Sequence, residues 1–247
     1  MTFRNLFFAA LCAAFVAGIV MSAVQYYRVV PLILAAETYE GQEPVAAHEH
    51  AEGTPAHTHE GTAPDAADGH AHDEDAWAPA DGFERTAYTV LSNLLAAAGL
   101  ALVLGAISVF ANIPITLANG ALWGLTGFLA VALAPALGLA PELPGMPAAD
   151  LGARQVWWWG TVLATGAAAL ILAKSRSWLA IAAAAILVAA PHVIGAPQLV
   201  GEHASSVPAN LANQFAATAL ATAAIFWLVL GMTFGRVNDY LQSRKAA

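Results

Sequence analysis

Six of the eight histidines in this chain stand as three His-x-His pairs: His48-Glu49-His50, His57-Thr58-His59 and His70-Ala71-His72. In an extended chain residues i and i+2 project to one side, so each pair offers two imidazoles to one ion. Glu49, Glu52, Glu60, Asp68, Asp73 and Glu74 lie close enough in sequence to complete a shell. Neutral imidazole suits zinc, nickel, copper and cobalt, and carboxylates add affinity for harder divalent ions. The bland alternative is a biased, solvated loop with incidental histidines; the pairing of all six favours metal binding. Such a tract binds in Irving–Williams order and cannot prefer cobalt or nickel over copper or zinc by affinity. It collects ions without choosing among them.

Selection is therefore expected among quieter polar residues at the ends of the apolar runs, where ionisable groups are costly and often functional. His192 follows Pro191, Glu202-His203 lies just beyond, and Asn210, Asn213 and Gln214 open the last apolar run. Asn93 sits inside the second run, and Glu142 stands between the third and fourth. Glu37 and Glu40 are three apart and share a face if the first helix continues past them. The metal-ligand candidates are thus the six paired histidines with His192, His203, Glu202, Glu142, Glu37 and Glu40. Asn93, Asn213 and Gln214 are the polar candidates for lining a pore. Structural readings stand beside these: Asn93 as a helix–helix hydrogen bond, Asn210 as a helix N-cap, His192 as an interface histidine.

Other chemistry is missing from the sequence. No GxxxxGK[ST] occurs, and Lys174 and Lys245 are the only lysines, so there is no Walker A site for ATP. The single cysteine, Cys12, permits neither a CxxC site nor a disulfide within one chain. Few methionines accompany it (Met1, Met21, Met146, Met232), which argues against a soft Cu(I) path. No HExxH or Ser-His-Asp arrangement stands out, and no acid lies within an apolar run. An enzyme is not expected, and a metalloenzyme at the outer face ranks behind every other reading.

The elements that position these residues are membrane helices. Hydrophobic residues make up 59% of the chain and charged residues 11%, against about a quarter charged in a soluble domain. Apolar runs fall at roughly 6–27, 88–111, 115–137, 156–173, 178–196 and 211–233. A bilayer core of ~30 Å needs about 17–25 helical residues. The fifth run reaches that only by passing through Pro191, which kinks or ends a helix, so five spans with a re-entrant segment is the alternative. The fold class is an all-α integral membrane protein, a bundle of about six transmembrane helices. Residues 1–36 hold the first, 37–85 an acidic His-rich outer loop, and 86–247 the remaining bundle. Arg4 before an apolar stretch also fits a signal peptide, but the run continues well past an h-region, so a retained span is expected.

Residues 37–84 carry almost no branched aliphatics and cannot offset the entropy of ordering; a disordered loop is expected. With the N-terminus cytoplasmic and six crossings, Arg4, Lys174, Arg176, Arg236, Arg244 and Lys245 fall inside, and Arg28, Arg85 and Arg154 outside. That division obeys the positive-inside rule and leaves Asp239 as the one acid inside. Both termini are then cytoplasmic, in the inner membrane of the cell. Trp157-Trp158-Trp159 reads as an interfacial anchor, and Gly120-x-x-x-Gly124 as a helix-packing motif.

Four segments carry a resemblance: Pro141-Glu142-Leu143-Pro144-Gly145, Arg154-Gln155-Val156-Trp157-Trp158, Pro191-His192-Val193-Ile194-Gly195-Ala196-Pro197 and Asn213-Gln214-Phe215. With the first span ending in Val30-Pro31-Leu32-Ile33-Leu34-Ala35-Ala36-Glu37, the chain resembles the probable cobalt transporter subunit family, CbtA, over most of its length. The resemblance implies a membrane component of cobalt uptake, linked to cobalamin synthesis and acting with a small histidine-bearing partner, CbtB. It also implies about five spans, one fewer than the apolar runs here. Co²⁺ is the expected cargo, with Ni²⁺ or Zn²⁺ as other candidates. The chain is then a permease or its membrane subunit; the alternative is a membrane-tethered metal buffer or chaperone serving another permease. The expected partners are the lipid bilayer, divalent metal ions and CbtB. A homo-oligomer is an open alternative, and nucleic acid is not expected.

Overall fold

The computed structural model describes residues 3–39, 79–199 and 205–246, with side chains as far as Arg244. The expected His-rich loop (His48, His50, His57, His59, His70, His72), together with Glu40, Glu202 and His203, lies outside the described residues. Every apolar run becomes a helix: α1 Phe3–Glu37, α2 Phe83–Ala111, α3 Leu117–Ala136, α4 Leu151–Lys174, α5 Trp178–Ile194 and α6 Ala209–Ala246. No strand occurs among the described residues. Five of the helices are long and apolar enough to cross a membrane; α5, at 17 residues, is the shorter apolar one. At 1.5 Å per residue α5 measures about 25 Å, short of a ~30 Å core.

Two helices change winding just before a proline. In α1, residues Gln25–Val29 form a π-helical turn, and Val30 N–H reaches back to the Gln25 carbonyl. In α3, Leu129–Leu133 do the same, with Ala134 N–H on the Leu129 carbonyl. Pro31 and Pro135 follow directly. Proline has no N–H and its ring crowds the carbonyl four residues earlier; a wider turn relieves that crowding without ending the helix. Pro191 lies inside α5, which also continues through it to Ile194.

The helices pack side by side in the order α2–α1–α6–α3–α4–α5, with α1 and α6 central. A small-residue face of α1 (Ala9, Ala10, Ala13, Ala14, Ala17) packs against Ala97, Ala101 and Leu104 of α2 and against the α6 core around Phe226, Leu230 and Phe234. The α3–α6 contact is closer still. Methyl groups at Gly120 or Gly124 would overlap the Gly231 or Trp227 carbonyls of α6, and one at Gly231 would overlap the Gly120 carbonyl in return. The expected GxxxG motif of α3 therefore meets a second one, Gly231-x-x-x-Gly235, in α6. Such small-residue seams let backbones touch where lipid gives no hydrophobic drive. At most 33% of any of the five long apolar segments is buried, so the row keeps two broad apolar faces.

The two ends of the bundle are tied differently. At one end, the Asp239 carboxylate accepts from the Leu117 N–H (2.8 Å) at the start of α3, and Asn238 Nδ2 donates to the Ile115 carbonyl (2.6 Å). Asn5 of α1 reaches the Leu241 carbonyl, and the Lys174 ammonium sits on the Ala111 carbonyl that ends α2. At the opposite end, Ala36, Leu143 and Val207 form a small second core with Ile33, Met146, Leu211 and Phe215 around it. Trp157 near the start of α4 bonds Pro191 near the end of α5, so these two helices run antiparallel along each other. A segment that turns back midway is not what α5 forms.

Candidate functional site

The end that holds the small second core also gathers most of the described candidate residues. The loop between α3 and α4 is pinned there by a turn at Leu143-Pro144-Gly145-Met146. Met146 N–H bonds the Leu143 carbonyl (3.2 Å), and Gly145 has φ +78°. Proline at the second position and glycine with positive φ at the third are what a type II turn requires. Leu143 is buried under this turn, and its neighbour Glu142 is directed to Arg154 in the first turn of α4, Nη2 to Oε2 2.6 Å. Asp150 caps α4 by accepting from Ala153 N–H at 2.8 Å, which fixes where that first turn begins.

Two cavities flank the Glu142–Arg154 pair. The larger, about 500 Å³, lies between the ends of α3 and α4 and one face of α6. The smaller, about 230 Å³, lies under the loops at this end and is lined by Met146, Gln198, Ala212 and Asn213 among others. Leu139, Ala140, Pro141, Glu142 and Arg154 border both.

The other candidates take separate positions. Glu37, at the end of α1, forms an ion pair with Arg85, which also holds Asp81 at 3.2 Å. Asn93 donates to Ser22 Oγ (3.0 Å) and Gln25 Oε1 (2.6 Å), joining α2 to α1 beside the π-helical turn. His192 packs edge-on against Trp157, ring centroids 5.9 Å apart, and its Nε2 is buried without a hydrogen-bond partner among the described residues. Asn213 and Gln214 are both exposed; Asn213 lines the smaller cavity and Gln214 lines neither. Glu142 and Asn213 thus line one cavity, and His192 and Glu37 line neither of the two. Among the described residues no three of His, Cys, Asp and Glu gather into a metal-holding group.

Sequence reasoning missed the arginine partners Arg85 and Arg154, the Ser22 and Gln25 partners of Asn93, and the role of Trp157. Of the three tryptophans expected as a surface anchor, Trp159 is exposed but Trp157 is 9% exposed and donates Nε1–H to the Pro191 carbonyl at 3.0 Å. That carbonyl also accepts the Gly195 N–H at 3.0 Å, so it serves two donors at the end of α5. No spacing in the sequence announces the Trp157 bond, because it joins residues 34 apart.

A family model described as probable cobalt transporter subunit (CbtA) matches residues 3–239. The chain belongs to this family. The resemblance read from the motifs is therefore borne out, and the CbtA match runs from the start of α1 to Asp239 in α6. Comparisons with curated proteins and with solved structures return no match. The four motif segments of the CbtA resemblance meet at one end of the fold. Glu142 bonds Arg154, Trp157 bonds Pro191, Asn213 shares a cavity with Glu142, and Phe215 packs by Leu143. A multi-pass membrane protein of a transporter-subunit family is the functional class these findings give.

Proposed function

We propose that this chain carries cobalt inward across the cytoplasmic membrane, as a permease or its membrane subunit. The observation that carries the reading is the convergence of the four CbtA motif segments on the Glu142–Arg154 cavities, within a chain matched by the family over residues 3–239. In this reading the cavity end faces outward and the basic end, with Lys174, Arg176, Arg236 and Arg244, faces the cytoplasm. The tract from His48 to His72 captures divalent ions outside and raises their local concentration, as a tethered binding module does. The inside-negative potential favours entry by ~2.3 kcal/mol per charge per 100 mV, hence about twice that for a divalent ion. A small histidine-bearing subunit, CbtB-like, joins the chain in the membrane, and Ni²⁺ or Zn²⁺ compete as cargo.

One observation favours a second reading. The described helices hold no cluster of three metal-ligating side chains, which suits a tethered buffer that binds ions in its loop and delivers them to another permease. Cobalt accumulation by cells making the full chain, or the chain lacking residues 48–72, separates the two. An importer lacking its collector needs more external Co²⁺ for half-maximal uptake but reaches nearly the same maximal rate. A buffer lacking the tract adds nothing to the uptake of control cells, and that result removes the importer.

A further inference from the structure

The larger cavity is an open groove on one broad face of the helix row, and the row explains its shape. α3 lies between α6 and α4, and its groove-lining residues Ala132, Pro135 and Ala136 share one helix stripe. These residues are small, so α3 forms a low floor between its neighbours. Ala219 and Ala223 of α6 line one side, and Trp158 and Trp159 of α4 the other. The volume, about 500 Å³, falls among ligand sites of ~300–1,000 Å³. Trp159 is 58% exposed at the mouth. In a chain that crosses a membrane, such a face looks out on lipid.

The charge in the groove is confined to one end. Glu142 and Arg154 are the only charged residues among those lining it, and they meet where the loop after α3 passes the first turn of α4. Trp158 stands one helical turn from Arg154, and indole rings favour the level of lipid headgroups. The ion pair is held by a single Nη2–Oε2 bond of 2.6 Å. Among the described residues, the other guanidinium donors of Arg154 and Oε1 of Glu142 have no partner. Both side chains stay about a quarter exposed, 25% and 28%. The pair therefore presents a vacant donor fork and a vacant carboxylate oxygen side by side.

We propose that this groove binds one glycerophospholipid with a phosphoethanolamine head. The phosphate accepts from the remaining N–H groups of Arg154, whose planar fork matches phosphate oxygens. The primary ammonium, a short ethylene link away, donates to Glu142 Oε1. One acyl chain lies on the α3 floor between Trp158 and the α6 alanines. Lipid tails are as apolar as leucine, so the tail seats the molecule and the head decides which lipid is kept. A phosphocholine head carries no N–H for Glu142. A phosphoglycerol head brings a net negative charge beside that carboxylate. The site requires only that the chain is embedded in a membrane, and it holds whether or not the chain transports cobalt.

Native mass spectrometry of the full-length protein in detergent, titrated with dioleoyl phosphatidylethanolamine, phosphatidylcholine or phosphatidylglycerol, reads the affinity of the first lipid bound. Phosphatidylethanolamine should bind about tenfold tighter than the other two, as one charge-assisted hydrogen bond confers. Glu142→Gln leaves Arg154 as the lone charge and should turn the preference to phosphatidylglycerol. Arg154→Ala should weaken phosphatidylethanolamine about tenfold, to the level of phosphatidylcholine. Ala136→Phe raises the floor and should weaken all three lipids alike. Equal affinities for the three lipids in the parent overturn the site, and that is the result expected if a partner's helix covers the groove. A parent preference for phosphatidylglycerol, or one for phosphatidylethanolamine that Glu142→Gln leaves intact, overturns it too. The parent's own preference needs no variant, so the test stands if a substituted chain fails to fold.

Discussion

Replacing Gly231 by alanine should loosen the bundle where its backbones touch. The added methyl would stand 2.7 Å from the Gly124 nitrogen and 2.9 Å from the Gly124 Cα, and closer still to the Gly120 carbonyl oxygen. Carbon contacts are optimal at about 3.5–4.0 Å, so α3 and α6 must part by roughly 1 Å. The obstacle is backbone from α3, and no flexible side chain can turn aside. A radial gap of that size forfeits a quarter to a half of each contact's attraction. Overpacking costs ~1–3 kcal/mol in ordinary cores, and a backbone obstacle belongs at the upper end, about 3 kcal/mol. At about 2–4 °C per kcal/mol for a chain of this size, the melting temperature should fall by roughly 6–12 °C. Thermal unfolding in mild detergent reports it directly, since Trp227 lies in the same seam. Gly160→Ala and Gly166→Ala supply the opposite sign, because nothing lies within 4 Å of a methyl at either position. Each should gain ~0.5–1 kcal/mol from reduced backbone freedom. If Gly231→Ala melts with the parent or above it, the helices are not in backbone contact and the row order built on that seam is wrong.

Three further outcomes follow from single contacts. Trp157→Phe keeps the buried ring but removes the Nε1–H bond to the Pro191 carbonyl, so it should cost ~1 kcal/mol in detergent melting; no loss would mean that the bond contributes nothing to α5. Asn93→Leu removes the bonds to Ser22 and Gln25, and interhelical pairs of this kind average ~0.6 kcal/mol in membranes. Cobalt uptake by that variant should stay near the parent's, whereas collapse of uptake with stability intact would place Asn93 on the ion's route. Deleting residues 48–72 should remove most Co²⁺ bound per chain in equilibrium dialysis; unchanged stoichiometry would move the binding into the helical bundle.

Hydropathy made the helices legible because each buries or presents apolar side chains over enough length to read. Their ends were less so. The last apolar run stops near Thr233, yet α6 continues to Ala246, since its final turns are polar and hydropathy marks only the apolar part. The first apolar run ends near Tyr27, but apolar residues continue to Ala36, and α1 follows them through its π-helical turn to Glu37, because the wider turn accommodates Pro31. Glu142, Asn213 and His192 were found from their position at the ends of apolar runs. The arginines opposite Glu37 and Glu142 were not, since Arg85 lies 48 residues from its partner and Arg154 twelve. Helical spacing could have revealed Gly231 and Gly235 as a second packing motif, because their four-residue interval matches that of Gly120 and Gly124. No pattern along the chain gives the inward turn of Trp157; it depends on where α5 lies.

The central claim, that this bundle moves cobalt, is tested most directly by the full chain reconstituted alone in proteoliposomes. Labelled Co²⁺ is supplied outside and an inside-negative potential of about 100 mV is imposed, worth ~4.6 kcal/mol for a divalent ion. Saturable uptake that collapses when the potential is dissipated is the predicted result. Vesicles that bind cobalt yet accumulate no more than empty ones would contradict an autonomous permease.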